Sequence, residues 1–481
     1  MGNRRQNPSN SGDPMDHITN HPATADMQAS DAAHHLHPFT DTVALNEKGA
    51  RIITSGKGVM IKDSEGEEIL DAMAGLWCVN IGYGRNELAD VAARQMRELP
   101  YYNTFFQTSH PMVIALAEKI AQLAPGDLNR TFFSCGGSDA NDTNIRLVRH
   151  YWASLGKPTK THIISRKNGY HGSAIGSASL GGMEAMHAQG GLPIPGISHI
   201  DQPYWYAEGG DLSPEEFGLK AAQALEAEIE RVGEGNVAAF IAEPVQGAGG
   251  VIVPPSTYWP EIQRICDANE ILLIADEVIT GFGRTGAWFG SQTYNIRPDI
   301  MTIAKGLSSG YQPIGGSVIS EKIAAVFAEK GGEFAHGYTY SGHPVAAAVA
   351  LENLRILEEE HIVDTVASDT GPYLAQRWAE LGQHPLVGEA RISGMMAALE
   401  LTPDVSARAP FAESGSVGPI CRDHCFASNL IMRHVGDKMI ISPPLVISRS
   451  EIDTMIERAH KALDKTMADA KAQGLMVAGT R

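Results

Sequence analysis

Ile271-Leu-Leu-Ile-Ala-Asp-Glu277 and Asp299-Ile-Met-Thr-Ile-Ala-Lys-Gly306 decide how this chain is read. Each is a short apolar run that closes on a charged side chain. Runs of this length, without regular polar alternation, suit strands buried on both faces of a sheet. Working outward, the pattern recurs in Thr131-Phe-Phe-Ser134 before Cys135-Gly-Gly-Ser-Asp139, in His162-Ile-Ile-Ser165 before Asn168-Gly-Tyr-His171, and in Val237-Ala-Ala-Phe-Ile-Ala242 before Glu243-Pro244. Helical stretches lie between. This alternation predicts an α/β fold with a mostly parallel sheet covered by helices, and ligands of such sheets bind outside the carboxyl ends of the strands.

Every polar cluster just quoted falls at that edge. Gly136-Gly137-Ser138 opens a helix whose Ile145, Val148 and Trp152 mark a buried face, so its N–H groups suit a phosphate; a simple cap by Ser138 or Asp139 is the plainer reading. Tyr170, between glycines, can lay its ring on a flat heterocycle or serve as core. Asp276, after so apolar a run, needs a cationic partner: a pyridinium nitrogen, an arginine or a loop cap. Lys305 is costly as a buried ammonium and well placed as a neutral amine, unless it snorkels to solvent. Together, a covalently binding amine, an acid for a ring nitrogen, a phosphate-suited loop and a stacking ring are what pyridoxal phosphate chemistry requires.

Lys and Arg number 38 against 56 Asp and Glu, a net −18, so the whole chain carries no basic footprint for nucleic acid or anionic membrane. No apolar run reaches the roughly 18 residues of a membrane span. Met1-Gly-Asn-Arg-Arg-Gln6 lacks the h-region of a signal and the Ser or Thr preferred for myristoylation, so a cytoplasmic protein is expected. Residues 1–35 read as a flexible arm, and Gly58 to Leu70 as a hairpin turning at Ser64 to Gly66. Five scattered cysteines suggest reduced thiols, with Cys421 and Cys425 structural. His34, His35 and His37 cluster without a Cys or carboxylate at ligand spacing, so no metal is assigned. Gly281-Phe-Gly-Arg-Thr-Gly286 matches a dinucleotide fingerprint, but Val278 to Thr280 separate it from the strand and no acid-ended strand follows, leaving an NAD-dependent oxidoreductase a remote alternative. After about 345 a smaller α+β domain is expected: an Ala-rich helix over Pro344 to Glu360, strands at Leu430 to Met432 and Met439 to Ile441, and a last helix boxed by Ser448 and Glu451.

Ile274-Ala-Asp-Glu-Val-Ile-Thr-Gly-Phe-Gly-Arg-Thr-Gly286, Pro298 to Gly306, Asn168 to Gly172, Glu243-Pro-Val-Gln-Gly247 and Tyr338-Thr-Tyr-Ser-Gly-His-Pro344, in that combination, resemble the class III pyridoxal phosphate aminotransferases. Asp71 to Asn80 and Ile431 to Asp437 resemble the pyruvate-linked ω-aminotransferases, nearest the putrescine or polyamine type. The resemblance implies fold type I, with a large domain over 93–345 and a small domain built from 36–92 and 346–481. It implies a homodimer, with a tetramer as the larger alternative, whose active sites lie at the interface. Lys305 would be catalytic; Gly137, Ser138, Tyr170, Glu243, Asp276, Val278 and, from the neighbouring subunit, Thr339 would hold the cofactor. Trp77, Tyr170 and a mobile Arg433 would meet the substrate. The family's Ser-Gly-Ser-Glu-Ala-Asn reads here Gly136-Gly-Ser-Asp-Ala-Asn141, and cofactor binding is expected to survive the change. The implied reaction is ping-pong transamination from a primary amine to pyruvate. The alternatives within the family are β-alanine, taurine or 4-aminobutyrate as donor and 2-oxoglutarate as acceptor.

Overall fold

Seven strands form the sheet that positions everything else, and five of them are the runs quoted above: β1 (Leu128–Ser134), β2 (His162–Arg166), β4 (Val237–Ala242), β5 (Leu272–Asp276) and β6 (Ile300–Ile303). β3 (Ile197–Ile200) and β7 (Gly315–Ser320) complete the order β1-β7-β6-β5-β4-β2-β3. This is a computed structural model, and it describes residues 23–476.

β3, β2, β4, β5 and β6 run parallel, and β7 enters antiparallel to both β6 and β1. Every residue of β4, β5 and β6 is buried, which is why these strands read as unbroken apolar runs. Alternate side chains feed opposite faces. Phe240 and Leu273 pack with Phe217, Leu225 and Ile262 on one side. Ile241 and Ile274 pack with Leu147, Val148 and Trp152 on the other. Each such side chain contributes roughly 1.5–3 kcal/mol by leaving water. β7 escapes the sequence pattern because it needs glycine: a Cβ on Gly315 would stand 2.8 Å from the Gly136 carbonyl oxygen, and one on Gly316 2.9 Å from that of Phe132.

A second, antiparallel sheet takes its strands from the carboxy-terminal part, in the order Val387–Ser393, Met396–Leu401, Lys438–Ile441, Arg433–Val435. Leu430–Ile431 instead runs parallel to Leu70 and Asp71. The Ala-rich helix spans Pro344–Glu359. The last helix, Arg449–Ala472, forms its capping box at Ser448 and Glu451 and buries Ile452, Met455, Ile456, Ala459 and Leu463. Cys421 and Cys425 are buried one turn apart on Gly418–Phe426, while His424 turns to Asp469 at 2.7 Å. No helix among the described residues is long and apolar enough to cross a membrane.

Of the described residues, 23–56 together with Met60–Ile69 pack as a unit of their own. The expected flexible arm is corrected here: Thr24–His34 is a helix. It buries no residue, and contacts distant in sequence hold it, Thr24 Oγ1 donating to Ser64 Oγ and Gln28 Nε2 to the Ala50 carbonyl, both at 2.8 Å. Residues 1–22 of the arm, with the Met1 to Gln6 targeting readings, lie outside the described residues. The hairpin turn forms as expected, with Asp63 Oδ1 accepting from the Glu65 and Glu67 amides, each at 3.0 Å. A second correction concerns the histidines: Asp31, one helical turn before His35, supplies the carboxylate the cluster was thought to lack.

Candidate active site

The carboxyl ends of β1, β2, β4, β5 and β6 meet around a cavity of about 280 Å³. Gly137, Ser138, Tyr170, Glu243, Asp276, Val278 and Lys305 all line it, from segments spread over the whole sheet. Cys78 and Cys135 line it as well. Asp276 aligns with Thr302 across the β5/β6 pair, and β6 runs on past that point to deliver Lys305 to the same edge.

Asp276 is 3% exposed and held from three sides. Oδ2 accepts from Asn141 Nδ2 at 2.8 Å and from His171 Nδ1 at 2.7 Å, and Oδ1 accepts from the Val278 amide at 3.1 Å. Asn141 is itself fixed, its Oδ1 accepting from Thr302 Oγ1 at 2.8 Å and Asn144 Nδ2 at 3.1 Å. The arginine partner weighed for Asp276 is replaced by this amide and imidazole. Neither residue was singled out in the sequence. Asn141 had a signal, standing one helical turn from Gly137; His171 had only its place beside Tyr170.

Lys305 sits in left-handed backbone, φ 44°. For a residue other than glycine this costs on the order of 1–3 kcal/mol, strain that persists only where the surroundings impose it. Burial pushes its amine below the usual lysine range; Cys78, Asp276 and Glu243 oppose that shift, and Arg433 adds to it. Burial also raises the Glu243 carboxyl above its usual value, with His171 opposing. Glu243 braces two loops, accepting from the Tyr170 amide at 3.0 Å and the Gly247 amide at 2.9 Å.

The helix Gly137–Ser154 has Gly136 as its cap, so no side chain closes its first turn. Ser138 Oγ instead accepts from the Ser173 amide at 3.1 Å, and Asp139 reaches the Cys135 amide at 3.3 Å. The plain capping reading therefore gives way to an open helix N-terminus facing the cavity, suited to an anion. Gly137 has no freedom to be larger, because a Cβ there would stand 2.9 Å from Val278 Cγ2.

Three expected residues lie apart from the cavity lining. Trp77 is 2% exposed and belongs to a buried cluster with Met73, Val245, Ile279 and Met396, of which Ile279 lines the cavity. The backbone turns left-handed at Ala74, Gly75 and Trp77, and Asp71 ties the turn by accepting from the Met73 and Gly75 amides and Tyr83 Oη at 2.9, 2.6 and 2.6 Å. Arg433 is half-buried on the edge strand of the antiparallel sheet, close enough to Tyr170 and Lys305 for charge to be felt. Thr339 is exposed, its carbonyl accepting from Tyr101 Oη at 2.8 Å.

The Gly281 to Gly286 segment forms turns and opens no helix there. It locks Arg284 into the interior, where Nη2 donates to Asn80 Oδ1 at 2.6 Å and burial pushes the guanidinium down to about 9. The cavity suits a flat ring carrying an anionic group and a cationic nitrogen: open helix N–H groups, a buried carboxylate with acceptor capacity to spare, and a lysine amine meet in one space.

Comparison with known proteins bears on that fit. The family described as Aminotransferase class-III matches residues 43–463. The putrescine–pyruvate aminotransferase of Pseudomonas aeruginosa is 63% identical over 92% of this chain and 97% of its own. The diaminobutyrate–2-oxoglutarate transaminase of Halomonas elongata is 43% identical over 93% and 96%. Among solved structures, the ω-transaminase from Pseudomonas jessenii in complex with PMP superposes with a TM-score of 0.90 at 42% identity, covering 92% of this chain and 99% of that one. An (S)-enantioselective ω-transaminase from Thermomicrobium roseum gives 0.89 at 45% identity over 92% and 99%.

Proposed function

The chain belongs to the class III aminotransferases, pyridoxal phosphate-dependent enzymes of fold type I, and from that premise we propose that it transfers the amino group of putrescine or a related di- or polyamine to pyruvate, giving an aldehyde and L-alanine by a ping-pong course. The observation that carries the proposal is 63% identity to a putrescine–pyruvate aminotransferase along nearly the whole of both chains.

When bound, pyridoxal phosphate supplies an electron sink that lets the C–H bond beside the amine nitrogen break heterolytically. The rest is the protein's work. Lys305 would hold the cofactor covalently through Nζ and, when displaced by the substrate amine, would act as the base that carries the proton from the substrate carbon to the cofactor carbon it had been bonded to, its amine being held below the usual lysine range. The Asp276 carboxylate, oriented by Asn141 and His171, stabilises positive charge on a ring nitrogen. Gly137, Ser138 and the helix N-terminus receive the phosphate. Tyr170 and Val278 bound the ring, with Glu243 fixing the Tyr170 loop.

Arg433 binds the carboxylate of pyruvate and withdraws from a cationic amine. Trp77 shapes the pocket indirectly, through Ile279. Thr339, exposed on its own subunit, contacts the neighbour's cofactor in a homodimer or larger assembly. The domain boundaries at 36–92, 93–345 and 346–481 and a cytoplasmic location complete the proposal.

The test is a panel of putrescine, cadaverine, spermidine, β-alanine, taurine and 1-phenylethylamine, each run with pyruvate and with 2-oxoglutarate. Alanine from putrescine and pyruvate is expected. Glutamate formation with no alanine would overturn the acceptor, and turnover of β-alanine alone would overturn the donor.

A further inference from the structure

The carboxylate of Asp31 lies between two imidazoles. Its Oδ1 accepts from His35 Nδ1 at 3.1 Å and its Oδ2 from His37 Nε2 at 2.7 Å, and the two rings stand 4.1 Å apart centre to centre. Asp31 and His35 are one helical turn apart, and His37 folds back from beyond the helix end. One donor atom from each residue falls within 4.8 Å of the other two, and no other group of three His, Cys, Asp or Glu among the described residues meets that condition. None of the three lines the cavity described above.

We propose that Asp31, His35 and His37 form a binding site for a divalent transition metal ion, with Zn²⁺ the physiological candidate. Two imidazoles and a carboxylate are a borderline nitrogen and oxygen donor set, which suits zinc and its first-row neighbours and not magnesium or calcium, whose sites are built from oxygen. Around a tetrahedral zinc, donor atoms stand about 3.3 Å apart. The present spacing reaches that value through small side-chain rotations, for which His35, 57% exposed, has room. Asp31 and His37, at 19% and 23%, are already held. On binding, one carboxylate oxygen and one nitrogen of each ring turn to the ion, and each ring proton now donated to Asp31 moves to the other ring nitrogen. Three protein ligands leave the fourth position to water. The ion would clip the last turn of the helix Thr24–His34 to the segment that follows it.

A second carboxylate between two histidines provides an internal control. Asp464 pairs with His384 Nε2 at 3.4 Å and with His460 Nδ1 at 3.2 Å, but that trio does not bring its ligand atoms together. The full-length holoenzyme, stripped with a chelator, is titrated with Zn²⁺ in competition with a chromophoric indicator, in parallel with D31N, H37A and D464N. Wild type and D464N are expected to bind one tight equivalent per chain, weakened at least about tenfold in D31N and H37A. Co²⁺ should give the visible absorption of a four- or five-coordinate site in wild type and lose it in D31N. Equal affinity in wild type, D31N and H37A overturns the proposal, as does loss of the tight equivalent in D464N. Unchanged thermal unfolding of the metal-free variants separates a lost site from a lost fold.

Discussion

Asp276 and Glu277 stand side by side at the end of β5, both buried, yet the alternation of an extended chain sends only the first to the cavity. Glu277 is saturated: it accepts from Thr280 Oγ1, the Gly290 amide, and both the amide and hydroxyl of Ser291. A carboxylate offers about four acceptor sites, so nothing is left over. Asp276 is held by three donors and keeps capacity on Oδ1, the oxygen bonded only to the Val278 amide. Two adjacent acids of similar burial thus divide into one that knits a turn and one that awaits a ligand. The distinguishing feature is unspent hydrogen-bonding capacity beside a cavity.

The largest expected effect tests whether the cavity is where chemistry occurs at all: Lys305→Ala should lower kcat by more than about 10⁴-fold, measured as alanine formation with excess cofactor. Asp276→Asn keeps the shape and removes the charge, and should cost about 10²–10³-fold in kcat per folded molecule, alongside about 1–2 kcal/mol of stability because an amide NH₂ then faces a donor. The contrast breaks if Glu277→Gln does the same. That substitution should instead leave activity per folded molecule within about twofold and destabilise the protein by about 2 kcal/mol, because an amide NH₂ then faces donors, read by denaturant unfolding.

The smallest effect concerns pH. Lys305 in the folded, cofactor-free protein has a pKa below the unfolded value of 10.5. Between those two values the unfolded chain binds more protons, so this group's contribution to stability rises with pH across that window and is flat outside it. The stability advantage of Lys305→Met over wild type should therefore shrink as pH rises toward 10.5, followed by thermal unfolding of the cofactor-free proteins. An advantage constant with pH would mean that the amine is not desolvated.

The sheet was legible where burial on both faces left unbroken apolar runs, as in β4, β5 and β6. β7 was not, because close approach to Gly136 and Phe132 demanded glycine where a strand signal would have stood. In the cavity the residues at strand ends could be read from position alone. Asn141 and His171 could not, since their importance lies in side chains meeting Asp276 across 135 and 105 residues of chain. Trp77 could not be placed from its motif alone, because positive-φ backbone at Ala74, Gly75 and Trp77 turns the chain there and the indole is buried in a cluster with Met73 and Ile279. The helix Thr24–His34 has no buried face to give it a pattern, and it was missed for that reason.

The near-contact between Gly315 and the Gly136 carbonyl makes the rim of the sheet a silent gauge of the anion loop. A single methyl group added at Gly315, on a strand with no part in the chemistry, would press on the residue that caps the helix above the cavity. Anyone reshaping this protein for a bulkier amine would find that some of its tightest tolerances lie behind the pocket wall, in positions no substrate ever touches.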